Sequence, residues 1–183
     1  MGRVILATVG GFLLGTAALL GATNLLHGSK ETTARVYDDW RLNCPPAAAK
    51  ASACTLTQDL VQNGTGTTMI HIEFGVASGE KRLAVVVPHG VLLQPGLGLG
   101  IGSAPLRVLK YQTCDQVGCV VVLPLDEETL DAFGEADDGR IAIVAGNGEQ
   151  VSFPYSLRGF KGGMRMLGWE AFRRSSWFGR QLP

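Results

Sequence analysis

The chain has 183 residues, enough for one ordinary domain and an appendage. Its 16 Lys and Arg balance its 16 Asp and Glu, so no overall field recommends nucleic acid as a partner. A mean hydropathy of +0.19 is high for a soluble chain, and the residues up to Leu26 supply much of it.

From Val4 to Leu26 the sequence VILATVGGFLLGTAALLGATNLL carries no charge. As a helix it would be ~34 Å long, enough to cross a hydrocarbon core of about 30 Å. A cleavable signal peptide has a shorter apolar core and a small-residue cleavage site. Here Ala22 and Leu20 make a poor site before Thr23, so an uncleaved signal anchor over residues 1–29 is the better reading. A cleaved, periplasmic or surface-exposed product is the alternative. Arg3 and the amino terminus orient the anchor with its polar domain outside the cytoplasm. Gly11 and Gly15 form a GxxxG spacing, a candidate contact with another membrane helix. The start MGRVIL lacks the Ser or Thr at position six that myristoylation requires.

Residues 30–37 read as a polar linker into a domain over 38–165. DDWRLNC (38–44) and CTLTQDL (54–60) are strand-like. TTMIHIEFGV (67–76) alternates with period two, and RLAVVVP (82–88) is a buried strand by its β-branched run. In QPGLGLGIGSAP (94–105) glycines alternate with Leu97, Leu99 and Ile101. A dinucleotide loop needs G-x-G-x-x-G at a helix start, whereas this spacing puts a bare glycine face on a strand, open to close approach by a neighbour. LRVLKYQTC (106–114) and CVVVLPL (119–125) flank DQVG. A short helix follows near 126–133, capped by Asp126 and stopped by Gly134. RIAIVAG (140–146) and QVSFPYS (150–156) form a hairpin. Phe160, Met164, Leu167 and Ala171 recur at helical spacing, giving an amphipathic helix over 160–174. About eight short strands argue for an all-β sandwich.

Cys44 and Cys54 lie ten apart, Cys114 and Cys119 five apart, with no C-x-x-C among them. Behind an export signal they read as disulfides, in any of three pairings. The local pairs are preferred: Cys44–Cys54 closes the neck of a long-tipped hairpin, and strands flanking the four-residue DQVG loop place Cys114 and Cys119 opposite one another at bridging distance.

DWRLNC, CTLTQ, VVVPHGVLLQPGLGLGIG, YQTCDQVGCVVVLPL and FPYSLRGF occur in this order. Together they resemble the invasion-associated locus B family of bacterial envelope proteins over residues 38 to 165. The most specific pieces are the Tyr111–Cys119 block, the P-x-G-x-x-L-x-x-G element at Pro88–Gly96, and Gly159-Phe160. The resemblance implies an immunoglobulin-like β-sandwich exported across the inner membrane of a Gram-negative bacterium, with disulfides at the matching cysteines. It brings no catalytic residues. The chain departs from it in the retained apolar segment and in a basic, aromatic tail.

His27, His71 and His89 are not at metal-ligand spacing, and no G-x-S-x-G elbow is present. Neither an enzyme nor a cofactor is expected. Seven acids and no base lie between Asp126 and Asp138, a solvated face. Six bases and one acid, Glu170, lie between Arg158 and Arg180. In the 166–183 tail, Arg173, Arg174, Trp177 and Phe178 are candidate contacts with membrane lipid or a membrane protein, and packing back on the chain's own domain is the equal alternative. The expectation is therefore a non-enzymatic, single-pass inner-membrane protein with a periplasmic interaction domain. An accessory subunit of an inner-membrane complex, docked by its helix and tail, is one alternative. A small apolar ligand binder or an uncharacterised enzyme is the other.

Overall fold

The computed structural model describes residues 32–46, 53–62, 64 and 66–176. The apolar segment with Gly11 and Gly15, and the tail residues Trp177 and Phe178, lie outside the described residues. Among the described residues no helix is long and apolar enough to cross a membrane.

Eleven strands and two helices follow one another as β1 (Thr33–Tyr37), β2 (Trp40–Cys44), β3 (Thr55–Val61), β4 (Thr68–Ala77), β5 (Glu80–Val87), β6 (Leu97–Ile101), β7 (Arg107–Leu109), β8 (Thr113–Cys114), β9 (Cys119–Pro124), α1 (Glu127–Glu135), β10 (Asp138–Val144), β11 (Gln150–Ser156) and α2 (Phe160–Ser175). The first sheet has the order β1-β2-β3-β4-β5-β9-β8 and the second β11-β10-β6-β7, both antiparallel. The fold is thus mostly β.

Immunoglobulin topology divides neighbouring strands between its two sheets. Here five successive strands stay in one sheet, so the likeness extends to two antiparallel sheets and no further. Tight turns explain the meander. Asp38 (φ 48) turns β1 into β2, and Ser78 (φ 54) with Gly79 (φ 84) turns β4 into β5; left-handed residues of this kind suit two-residue hairpins.

Period-two burial builds the core. Trp40 and Leu42 on β2, Ile70, Ile72 and Phe74 on β4, Leu83, Val85 and Val87 on β5, and Val121 on β9 all point inward. Leu97, Leu99, Ile141 and Ile143 of the second sheet join the same cluster. The rings of Trp40, Phe74, Phe133 and Phe160 meet edge-on or tilted, with centroids 4.9 to 5.5 Å apart. They fix both helices to the first sheet. Trp40 Nε1 donates to the Ser156 carbonyl at 3.0 Å, and Gln58 Nε2 donates to the same oxygen at 3.1 Å, tying β2 and β3 to the end of β11.

β6 is the strand expected from the alternating glycines, and its bare face is covered. A Cβ at Gly98 would lie 3.3 Å from the Leu106 side chain, and one at Gly100 would lie 3.0 Å from it. Four expectations need correction. The 30–37 linker contains β1, a polar edge strand whose side chains are mostly exposed. The 106–114 segment is two strands, with β7 in the second sheet and β8 in the first, so Lys110–Gln112 crosses between sheets. α1 begins under its Asp126 cap, which accepts from Thr129 N at 2.7 Å, but it runs through Gly134 to Glu135. Finally, α2 is continuous across residues 165 and 166, so the tail boundary placed there falls inside a helix.

The β9 edge of the first sheet is closed by an unusual means. β8 pairs only with Cys119 and Val120. Beyond it the Gln112 side chain stands in for a strand: its Nε2 donates to the Val122 carbonyl at 2.9 Å, and its Oε1 accepts from Val122 N. The next residue facing that side is Pro124, which has no N–H to offer.

Candidate functional site

All four cysteines are paired, Cys44 with Cys54 and Cys114 with Cys119. The second pair are register partners of the β8–β9 hairpin, with Cα atoms 4.0 Å apart, the short spacing of a non-hydrogen-bonded pair. Asp115 Oδ1 accepts from Val117 N at 2.8 Å inside the closed loop, and His89 Nε2 contacts the Asp115 carbonyl at 2.6 Å from outside it.

α2 divides its residues sharply. Phe160, Gly163, Leu167 and Glu170 are buried, one turn apart along a single face. Gly163 has no side chain because Leu56 occupies that space; a Cβ there would lie 2.6 Å from Leu56 Cδ1. Glu170, only 6 % exposed, lies beside the Cys44–Cys54 disulfide, with a carboxylate oxygen and both sulfurs within 4.8 Å of one another. This trio is not a ligand set, since a metal needs thiolates and both sulfurs are in a disulfide. Arg173 Nη2 instead donates to Glu170 Oε2 at 2.9 Å, and Arg174 Nε lies 3.8 Å from the same oxygen. Arg174 Nη2 also donates to the Pro45 carbonyl at 2.8 Å. Arg173 and Arg174 thus pack back on the domain, one of the two arrangements the sequence allows, and neutralise the helix's only acid.

The outward face of α2 carries Lys161, Arg165, Trp169 and Phe172. Trp169 is 45 % and Phe172 53 % exposed, with ring centroids 6.0 Å apart. Sequence reasoning passed over this pair, assigning contact to the tail aromatics Trp177 and Phe178 instead. The signal was present: with Glu170 excluded as a buried partner, every exposed charge on the helix is positive.

Two further clusters carry polar chemistry. On the outer face of the first sheet, His71 Nδ1 lies 2.6 Å from Asp59 Oδ1, and its Nε2 lies 3.7 Å from Glu73 Oε2. Glu73 and Asp59 hold the imidazolium, raising its pKa to about 9 against the opposing effect of partial burial. Asp59, at the shorter distance, is the tighter partner. His71 is thus a cation at neutral pH, unable to serve there as a base or metal ligand. A shallow depression of about 280 Å³ lies where the chain crosses between sheets, lined by Leu93, Gln94, Lys110, Tyr111, Gln112 and Thr113 among others. The Tyr111 hydroxyl is buried without a hydrogen-bond partner, and burial pushes its pKa up.

The Invasion associated locus B (IalB) protein family matches residues 40–168 of this sequence. Among solved structures, the crystal structure of invasion associated protein B from Bartonella henselae shares the fold with a TM-score of 0.65. That similarity covers 74 % of this chain and 95 % of that one at 17 % sequence identity. No curated protein matches the chain. The matched span runs from Trp40, where the ring cluster begins, to the turn of α2 that carries Leu167. With more than two-thirds of its length so matched, this chain belongs to the invasion associated locus B family.

Proposed function

We propose that this chain is a non-enzymatic, membrane-anchored interaction protein of the bacterial cell envelope, with its disulfide-stapled domain facing the periplasm. The exposed Trp169–Phe172 pair carries the reading. Aromatic surface held wet on a rigid helix, whose other face is locked into the core, is the composition of a contact surface. Two disulfides support an oxidising, extracytoplasmic location. The uncharged Val4–Leu26 run supports the anchor.

A small-ligand or catalytic role has less to recommend it. The four-ring cluster fills the space between the first sheet and the helices, and His71 is committed to two carboxylates. The accessory-subunit reading is favoured by the same aromatic pair, which suits a hot spot on a membrane protein as well as a free-standing contact.

Native size in mild detergent separates the two. Extracted from its own membranes, the protein is expected to migrate as a lone anchored chain that resists alkaline extraction. Co-migration with stoichiometric partner chains in a large assembly would replace that reading with the accessory-subunit one, and release by alkali would remove the anchor.

A further inference from the structure

We infer that the outward face of α2 is a docking surface for an anionic bilayer, an inference that rests on the membrane-anchored reading above. The spacing from Lys161 to Arg165 to Trp169 to Phe172 is four, four and three, a single helical face. All four are exposed. The helix has one acid, Glu170, and it is buried beneath Arg173. The exposed face of the helix therefore presents cations at one end and aromatic rings at the other and carries no acid of its own; the acidic helix α1 adjoins its Lys161 end. Helices that lie in the membrane interface combine these features.

The topology places the Trp169–Phe172 end of this face at the pole where the chain enters the domain. Gly159, the residue before α2, packs against the Tyr37 carbonyl at the end of β1. At the other end of the helix, Arg174 donates to the Pro45 carbonyl, and Glu170 lies beside Cys44. Cys44 is in turn the register partner of Thr33, the first residue of β1. β1 and α2 thus run in opposite senses along one another. The chain enters β1 and leaves α2 at the same pole, the pole nearest Trp169 and Phe172. Only residues 27–32 separate Leu26 from Thr33. Fully extended, the seven steps from Leu26 to Thr33 reach at most ~25 Å. A membrane span over 4–26 would hold that pole close to the headgroups, and the cationic face selects anionic ones.

The test reads the environment of Trp169 in the full chain. Trp177→Phe leaves Trp169 as the outward indole of the described domain, since Trp40 is fully buried. The protein is reconstituted into vesicles of phosphatidylcholine, alone or mixed with phosphatidylglycerol, with bromine on the acyl chains as quencher. Emission above the Trp169→Phe/Trp177→Phe background is expected to fall about twofold in the phosphatidylglycerol vesicles, as for an indole at the acyl boundary. Lys161→Glu/Arg165→Glu, at two exposed positions that leave the core untouched, should abolish that quenching. Equal emission in all vesicles would overturn the inference. So would a Trp169 that is open to aqueous quencher on vesicles but shielded in a native complex, which assigns the face to a protein. Alkaline extraction of the same vesicles reports the anchor separately. Retention without quenching sinks the docking face alone, and quenching with release sinks the anchor alone.

Discussion

At the scale of single residues, the charge held by His71 has the clearest consequence. Its pKa rises from 6.5 in the unfolded chain to about 9 in the fold. A raised pKa means that its stabilising contribution is fully present below pH 6.5 and is lost as pH climbs through 9. The cluster is partly solvated, so the contribution is below ~1 kcal/mol. Urea denaturation should show this loss between the two ends of that window in the wild type, and a smaller one in Asp59→Asn. An unchanged pH profile in the variant would remove Asp59 from the account. The cysteine pairs were legible because register and loop length fix which residues face each other. The buried face of α2 was legible in part, through Phe160 and Leu167. The periodic apolar residues Met164 and Ala171 lie beside it, while Gly163 and Glu170 sit on it. Neither carries a hydrophobic signal: glycine is there because Leu56 needs the room, and the carboxylate because Arg173 neutralises it.

At the scale of elements, strands with inward apolar residues at alternate positions were readable, and those without were not. β1 is polar and lies at a sheet edge, so its sequence lacks the alternation that burial on one face imposes. The 106–114 segment has strand character throughout, yet its halves join different sheets, a division set by partners distant in sequence. The β8–β9 hairpin has only two paired residues on each strand and is braced by Cys114–Cys119 and by the Asp115 and Gln112 hydrogen bonds. Replacing both cysteines by serine should lower stability by roughly 2 kcal/mol on a loop-closure estimate. It should also free Gln112 from Val122 and expose the β9 edge. Size-exclusion chromatography is expected to show self-association that the Cys44→Ser/Cys54→Ser chain does not share. Equal behaviour of the two variants would show that the hairpin does not guard the edge.

At the scale of the whole molecule, two antiparallel sheets and a C-terminal helix were legible from strand count and periodicity, but not the sheet order or the shared pole of the chain ends. The order is set by pairings distant in sequence, β5 with β9 and β6 with β10, and the shared pole by the Tyr37–Gly159 and Pro45–Arg174 contacts, each between residues more than a hundred positions apart. The described domain holds a continuous core of its own. Removal of residues 1–31 should therefore yield a monomeric, disulfide-bonded protein that melts within a few degrees of the full chain in detergent, by circular dichroism. Failure to fold would show that the apolar segment contributes to the core. The closed β9 edge has a consequence for symmetry. With β8, Gln112 and Pro124 sealing one side, the first sheet has β1 as its other border. A second copy joining there would pair β1 with β1 across a two-fold axis, and the joined sheet would end in sealed borders on both sides. Growth by pairing the first sheet of one copy with the first sheet of another therefore stops at two.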